Sequence, residues 1–331
     1  MTKIQWTNET WNPIAGCSKV SAGCKNCYAI KDAQRLAGHP NPTIQAKYRG
    51  TVKDGNWTGR INAAADDVWT QPIRWTRPRM IFVNSMSDLF HEAVDPDWIV
   101  RAYAAMALSP HHTFQVLTKR ADLMQRFCSA GDVSKAVFDK ADEIACDLNL
   151  SEWHPSEAYL NCGVRNAPWP LPNVWLGVSC EDQETANERI PILLNIPAAV
   201  HWVSAEPLLG PLNLTEIDAW AGCDLNALNG RLTFSGTIVE KRRGLDWVVV
   251  GGESGPKARE CDVDWILRIL SDCRVSGVPC FVKQLGSNLS GWSGAWIALE
   301  TGGSIHHPKG GDISEWPEEL RVGEFPEFLD R

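Results

Sequence analysis

No stretch of about 18 consecutive apolar residues occurs in this chain of 331 residues, so no membrane-spanning helix and no membrane partner are expected. The opening segment MTKIQWTNE lacks the charged-then-apolar order of a secretory leader, and no internal repeat or low-complexity tract interrupts the sequence. Positive charge is in the minority. Lys and Arg number 32 against 40 Asp and Glu, and the net charge of −8 argues against extended duplex binding while leaving room for a local basic patch. Paired cysteines are scarce too. Of eleven, Cys128, Cys146, Cys162, Cys180, Cys223, Cys261, Cys273 and Cys280 stand singly and read as free thiols that pack like small hydrophobes. The odd total and the missing leader predict a reducing, cytoplasmic setting and no disulfide framework. His91, His111, His112, His306 and His307 show no metal-ligand spacing and read as solvated side chains.

Three cysteines do cluster: Cys17, Cys24 and Cys27, within GCSKVSAGCKNCYA. Three closely spaced thiolates can hold three irons of a [4Fe–4S] cluster and leave the fourth iron open to a substrate or cofactor. The same triad joined by a histidine such as His39 would make a closed zinc site. The 44% hydrophobic content is ample for one large domain or two ordinary ones. The 16 Trp residues, among them Trp57, Trp69, Trp75 and Trp292, read mainly as plugs of loops onto the core.

Short apolar runs recur at 80–88, 113–120, 174–182, 200–207, 246–255 and 278–286, each ending in small or charged residues. Runs so rich in Val, Ile and Phe suit strands buried on both faces of a parallel sheet. Between them, 96–108, 180–196 and 261–277 carry helical patterns; the last has apolar Val263, Ile266, Leu267 and Leu270 and stops at Gly277. With a short strand around Trp11–Ile14, this predicts an α/β fold: a TIM-like (β/α) barrel, complete or partial, over 1–286, with a doubly wound sheet as the alternative. Insertions are expected at 39–78, 128–172 and 213–244, and a loop-rich extension packed on the barrel at 287–331. In either architecture chemistry gathers at the C-terminal ends of the strands, which here carry Asp88, Lys119, Ser179, Glu206, Glu253, Lys283 and Gln284.

WNPIAGC, GCKNCYA, SMSDLFH, LTKR, GVSCED, SAEPLLGP, GGESGPKAR, FVKQLG and GGDISEWPEELR together resemble the phage- and prophage-associated three-cysteine-motif family, a radical-SAM-like group of uncharacterised reaction. The resemblance covers most of residues 4–325. It departs from the usual radical-SAM arrangement in its first gap, which holds six residues, Ser18 to Gly23, instead of three.

The resemblance implies an iron–sulfur enzyme in which Cys17, Cys24 and Cys27 bind the metal and S-adenosylmethionine (SAM) chelates the open iron. One electron from a reducing donor then cleaves SAM to a 5′-deoxyadenosyl radical that acts on a substrate. It places a contact to the SAM amino group at Ser85, Ser87 and Asp88, and sets Tyr28 beside the thiolates. Ser179 and Glu181 are candidate ribose contacts. Gly251, Gly252 and Glu253 compare with the family's Gly-Gly-Glu segment, though on a late strand. Glu206, Lys283 and Lys119 are the catalytic candidates, Glu206 and Lys283 also reading as a structural ion pair. Lys119, Arg120, Lys257 and Arg259 would offer charge to an anionic substrate, such as a nucleotide or nucleic-acid base. The competing functional class is a zinc-stapled, non-catalytic βα protein that binds nucleic acid or a partner protein.

Overall fold

The computed structural model describes residues 4–150, 168–220, 222–291 and 307–327; Cys162, Trp292 and His306 lie outside them. The chain packs as two compact units. The first is Met1–Val20, Cys27–Leu176 and Ile196–Ala199; the second is Ser21–Asn26, Gly177–Asn195 and Val200–Arg331.

In the first unit, strands β1 (Glu9–Trp11), β2 (Met80–Val83), β3 (Thr113–Thr118) and the opening half of β4 (Val174–Ser179) lie side by side in that order. The β1–β2 and β2–β3 pairs are parallel, with Phe82 opposite both Thr10 and Gln115. Ile81, Val83, Phe114 and Val116 are buried, so these strands need helical cover on their faces. Helices α1 (Tyr28–Ala37), α2 (Pro96–Ala107), α3 (Ala121–Cys128) and α4 (Val133–Asp147) belong to this unit. Pro96 at the first helical position and the Asp95 cap start α2, whose alanine-rich body packs against α4.

In the second unit the closing half of β4 is followed by β5 (Val200–Ala205), β6 (Trp247–Gly251) and β7 (Cys280–Gln284), with β5–β6 and β6–β7 parallel. Every residue of β6 is buried. Helix α5 (Gln183–Leu193) opens with a reciprocal capping box between Asp182 and Thr185. Helix α6 (Val263–Ser276) stops at Gly277, whose φ of +70° is the left-handed cap its sequence predicts.

Parallel strands alternating with helices make this an α/β protein, and all six expected strand segments contain one of β2–β7. Three details differ from expectation. The strand expected around Trp11–Ile14 is broken at Pro13, which lacks an N–H: Glu9–Trp11 joins β2, while Ile14–Ala15 pairs antiparallel with Asn62–Ala63. The buried stripe of α6 is Val263, Ile266, Ile269, Leu270 and Cys273, leaving Leu267 half-buried at its edge. Segment 213–244 is no loose insertion but a four-stranded antiparallel sheet of Ile217–Trp220, Cys223–Asn226, Arg231–Phe234 and Thr237–Lys241. The tryptophans act largely as plugs, since Trp11, Trp69, Trp202, Trp247 and Trp316 are fully buried. Among the described residues no helix is long and apolar enough to cross a membrane.

Candidate functional site

The three cysteines follow β1 on one loop, of which Cys17–Val20 and Cys27 belong to the first unit and Ser21–Asn26 to the second. All three thiols are half-buried and none is in a disulfide. Gly16 sets the loop's start: its φ is +107°, and a Cβ there would lie 2.0 Å from the Arg60 carbonyl oxygen.

In the first unit, the ends of β2 and β3 converge on Cys17. Arg120, just past β3, is buried and its guanidinium lies 3.0 Å from Asp88 Oδ2, 2.7 Å from Glu92 Oε2, 2.7 Å from Ser18 Oγ and 4.0 Å from Cys17 Sγ. Burial alone would lower the Arg120 pKa, but Asp88 and Cys17 outweigh it and the net shift is upward, so this cation is permanent. Asp88 also accepts from the Thr118 hydroxyl at 2.7 Å and from the backbone of Phe90 and Lys119. Burial acts to raise the Glu92 pKa, yet its own backbone and Arg120 hold it at about 2. His91 accepts from the Ala93 N–H at Nδ1, so Nε2 carries the proton and donates to Ser18 Oγ at 2.9 Å. Burial, then Arg120, lowers its pKa. A histidine that donates to a serine cannot serve as its base, which removes a serine-hydrolase reading of this pair.

Ser85 donates to Asn12 Oδ1, Ser87 to the Ile14 carbonyl, and the Tyr28 hydroxyl to the Ser85 carbonyl, leaving the Tyr28 ring 56% exposed. Lys119 is half-buried. His39 accepts the Asn41 N–H at Nδ1.

In the second unit, the ends of β4–β7 meet the middle of the cysteine loop. Glu181 is fully buried, 3.0 Å from Arg189 Nη1, and accepts the Ser21 hydroxyl at 2.6 Å. Gly23 lies so close that a Cβ would fall 2.2 Å from Glu181 Oε1. Glu253 accepts from Arg259 at 2.6 Å and from Asn26 Nδ2 at 2.9 Å. Burial opposes ionisation there, but these partners prevail and its pKa is lowered. Arg259 also reaches the Ala22 carbonyl at 2.8 Å. Ser179 donates to the Glu206 carbonyl, and Lys283 Nζ lies 3.0 Å from Glu206 Oε1. The two glycines of GGES serve close chain approach: a Cβ on Gly251 would sit 2.8 Å from the Gln284 carbonyl oxygen, and one on Gly252 2.1 Å from that of Leu285.

Each predicted site residue therefore sits on the cysteine loop or at a strand end, within one unit or the other. The expectation that Arg120 and Arg259 offer charge to a substrate is corrected, because both are spent on internal carboxylates. Glu206 and Lys283 form the expected ion pair. Among the described residues, no group of three or more His, Cys, Asp or Glu side chains is arranged to hold a metal ion.

A family profile described as "Protein of unknown function (DUF5131)" matches residues 1–301. The chain belongs to the DUF5131 family. No curated protein and no solved structure matches it. Family membership thus assigns no reaction, and the chemistry has to be read from the residues.

Sequence reasoning missed Ser18, Ser21, Asn26 and Arg189, which tie the cysteine loop and the buried carboxylates together in this DUF5131 chain. It also missed Lys47, whose ammonium donates to the Asn12 carbonyl and whose pKa burial lowers to about 8. Spacing carries no signal for such pairings. The one available cue was Asn12 itself, an Asn-Pro turn directly before the cysteines.

Proposed function

We propose that the protein is a radical-SAM-type enzyme on a TIM-like (β/α) barrel, complete or partial. Cys17, Cys24 and Cys27 bind a [4Fe–4S] cluster, SAM is the co-substrate and an external one-electron donor supplies the reductant. The observation that carries this reading is the contrast among the thiols. Cys128, Cys180, Cys261, Cys273 and Cys280 are buried, and burial pushes Cys128 and Cys261 up to about 12, which suits inert core residues. The loop cysteines are partly accessible, lie within eleven residues and include one beside the permanent Arg120 cation, a setting that favours thiolate. Three thiolate donors suit an iron–sulfur cluster, which when bound supplies the electron that cleaves the SAM sulfonium bond.

The chain's own groups then have defined tasks. Arg120 and Ser18 anchor the loop beside Cys17, and Ser21 and Asn26 anchor it on Glu181 and Glu253. Ser85, Ser87 and Asp88 shape the β2 end where the SAM amino acid is placed by resemblance. Ser179, Glu181, Gly251, Gly252 and Glu253 shape the β4 and β6 ends. Lys283, 26% exposed and paired with Glu206, can hold or deliver a proton, and Lys119 is the matching candidate after β3. The substrate class we favour is a nucleotide or nucleic-acid base.

The test is anaerobic reconstitution with iron and sulfide. Wild type is expected to turn brown and, with dithionite and SAM, to release 5′-deoxyadenosine. Replacing any one of Cys17, Cys24 or Cys27 by Ala abolishes iron binding, whereas Cys180→Ala keeps it. Colourless protein with stoichiometric zinc would overturn the proposal and favour the zinc-stapled binding protein.

A further inference from the structure

A basic face surrounds the first cysteine. Between positions 17 and 60 the sequence holds eight Lys and Arg but only two carboxylates, Asp32 and Asp54, in a chain whose net charge is −8. Within the first unit, Lys19, Lys31, Arg35, Arg49, Lys53 and Arg60 are exposed. Among the described residues only Arg35 of these six pairs with a carboxylate, Asp32, at 3.4 Å.

Hydrogen bonds bring four of them together. Lys19 Nζ donates to Asn56 Oδ1 at 2.6 Å, on the hairpin of Val52–Lys53 and Asn56–Trp57 that carries Lys53. Asp54 and Gly55, with φ of +50° and +70°, make its tight turn and push Lys53 outward. Arg60 Nε donates to Asn62 Oδ1 at 2.9 Å, and Asn62 Nδ2 donates to the Arg49 carbonyl at 2.9 Å. The Gly59 N–H donates to the Cys17 carbonyl at 3.1 Å, which fixes this face directly to the cysteine loop. On α1, Lys31 and Arg35 follow Tyr28 at the three- and seven-residue spacing of one helix face, and the Tyr28 ring is exposed with its hydroxyl tied down.

We propose that this face binds a single-stranded nucleic acid, its phosphates on these cations and a base stacked on Tyr28. The charge distribution favours that partner over a membrane or an acidic protein. With the net negative charge carried outside 17–60, a flat anionic surface is repelled by most of the chain, whereas a thin flexible strand can follow the basic face alone. An exposed aromatic among cations suits a base, which every nucleotide supplies, and has no counterpart in a lipid headgroup. The inference extends the substrate side of the proposed function, and the test separates the two because it uses iron-free protein.

Full-length, iron-free protein is titrated against a labelled single-stranded oligonucleotide of about 20 nucleotides, followed by fluorescence anisotropy over a range of salt. Wild type is expected to bind, with log K falling linearly in log salt. Arg49→Glu with Lys53→Glu should weaken binding at least about tenfold and flatten the salt slope by about one unit. Tyr28→Ala should weaken it about fivefold or more through lost stacking. Lys135→Glu on α4 should bind as wild type, and unchanged melting temperatures confirm that the variants are folded. The proposal is overturned if no oligonucleotide binds at about 50 mM salt. It is equally overturned if the folded double variant binds like wild type, or if phosphatidylserine vesicles or polyglutamate bind as well as the oligonucleotide.

Discussion

Asp88 and Arg120 face each other at 3.0 Å with side chains only 8% and 6% exposed, a buried ion pair joining the end of β2 to the end of β3. Water replaces neither partner there, so losing one strands the other as an uncompensated charge. Asp88→Asn and Arg120→Met are each expected to cost on the order of 3–5 kcal/mol. The double variant should cost clearly less than their sum, because it removes both charges at once. Urea unfolding of the four proteins measures the coupling, and strict additivity would show that the pair does not hold these strand ends together.

A second prediction concerns pH. His112 is buried, its Nε2 donates to the Pro72 carbonyl at 3.1 Å and its Nδ1 has no partner among the described residues. Burial first, then the neighbouring His111, brings its pKa down to about 4 from the ordinary 6.5; Arg79 adds to the shift. Because the folded pKa is the lower one, the unfolded chain takes up the proton first as pH falls. The stability tied to neutral His112 is therefore complete above about pH 6.5 and drains away down to about pH 4, on the order of 1–3 kcal/mol. Chemical unfolding across that window should show the loss, and His112→Gln, which keeps the donor to Pro72, should have a shallower slope. A slope equal to wild type would assign the acid sensitivity elsewhere.

What the sequence made visible and what it hid divide along physical lines. Val248, Val249 and Val250 announce a strand because both their faces are buried, and Gly277 announces a helix end because a left-handed φ suits glycine. The residues after each strand could be picked out because parallel βα units always expose that end. Partner choice was hidden. Arg189 meets Glu181, and Asn26 meets Glu253, across 8 and 227 positions of sequence, and only the folded chain sets those distances. The antiparallel sheet of 217–241 was hidden for another reason. Its turn signals, Asn229-Gly230 and Ser235-Gly236, are present, but the alternation around them is weak, with Leu225 and Leu232 the buried side chains of the two middle strands.

The glycine pair after β6 yields the sharpest test of packing against ligand binding. By resemblance, Gly251 and Gly252 would let a cofactor approach the backbone. The geometry gives Gly252 a different necessity, because the space its missing Cβ leaves is filled by the Leu285 carbonyl oxygen at 2.1 Å and the Gly286 Cα at 3.0 Å. Both contacts are backbone and cannot swing aside as a flexible side chain would. Gly252→Ala is thus expected to force β6 and the chain after β7 apart and to cost about 1–3 kcal/mol or more. Gly131→Ala, where no atom lies within 4 Å, should be close to neutral. Thermal and urea unfolding of the two variants decide the matter: a Gly252→Ala protein as stable as wild type but deficient in SAM binding would return the glycine to a ligand role, whereas loss of stability in the protein without cofactor assigns it to the fold.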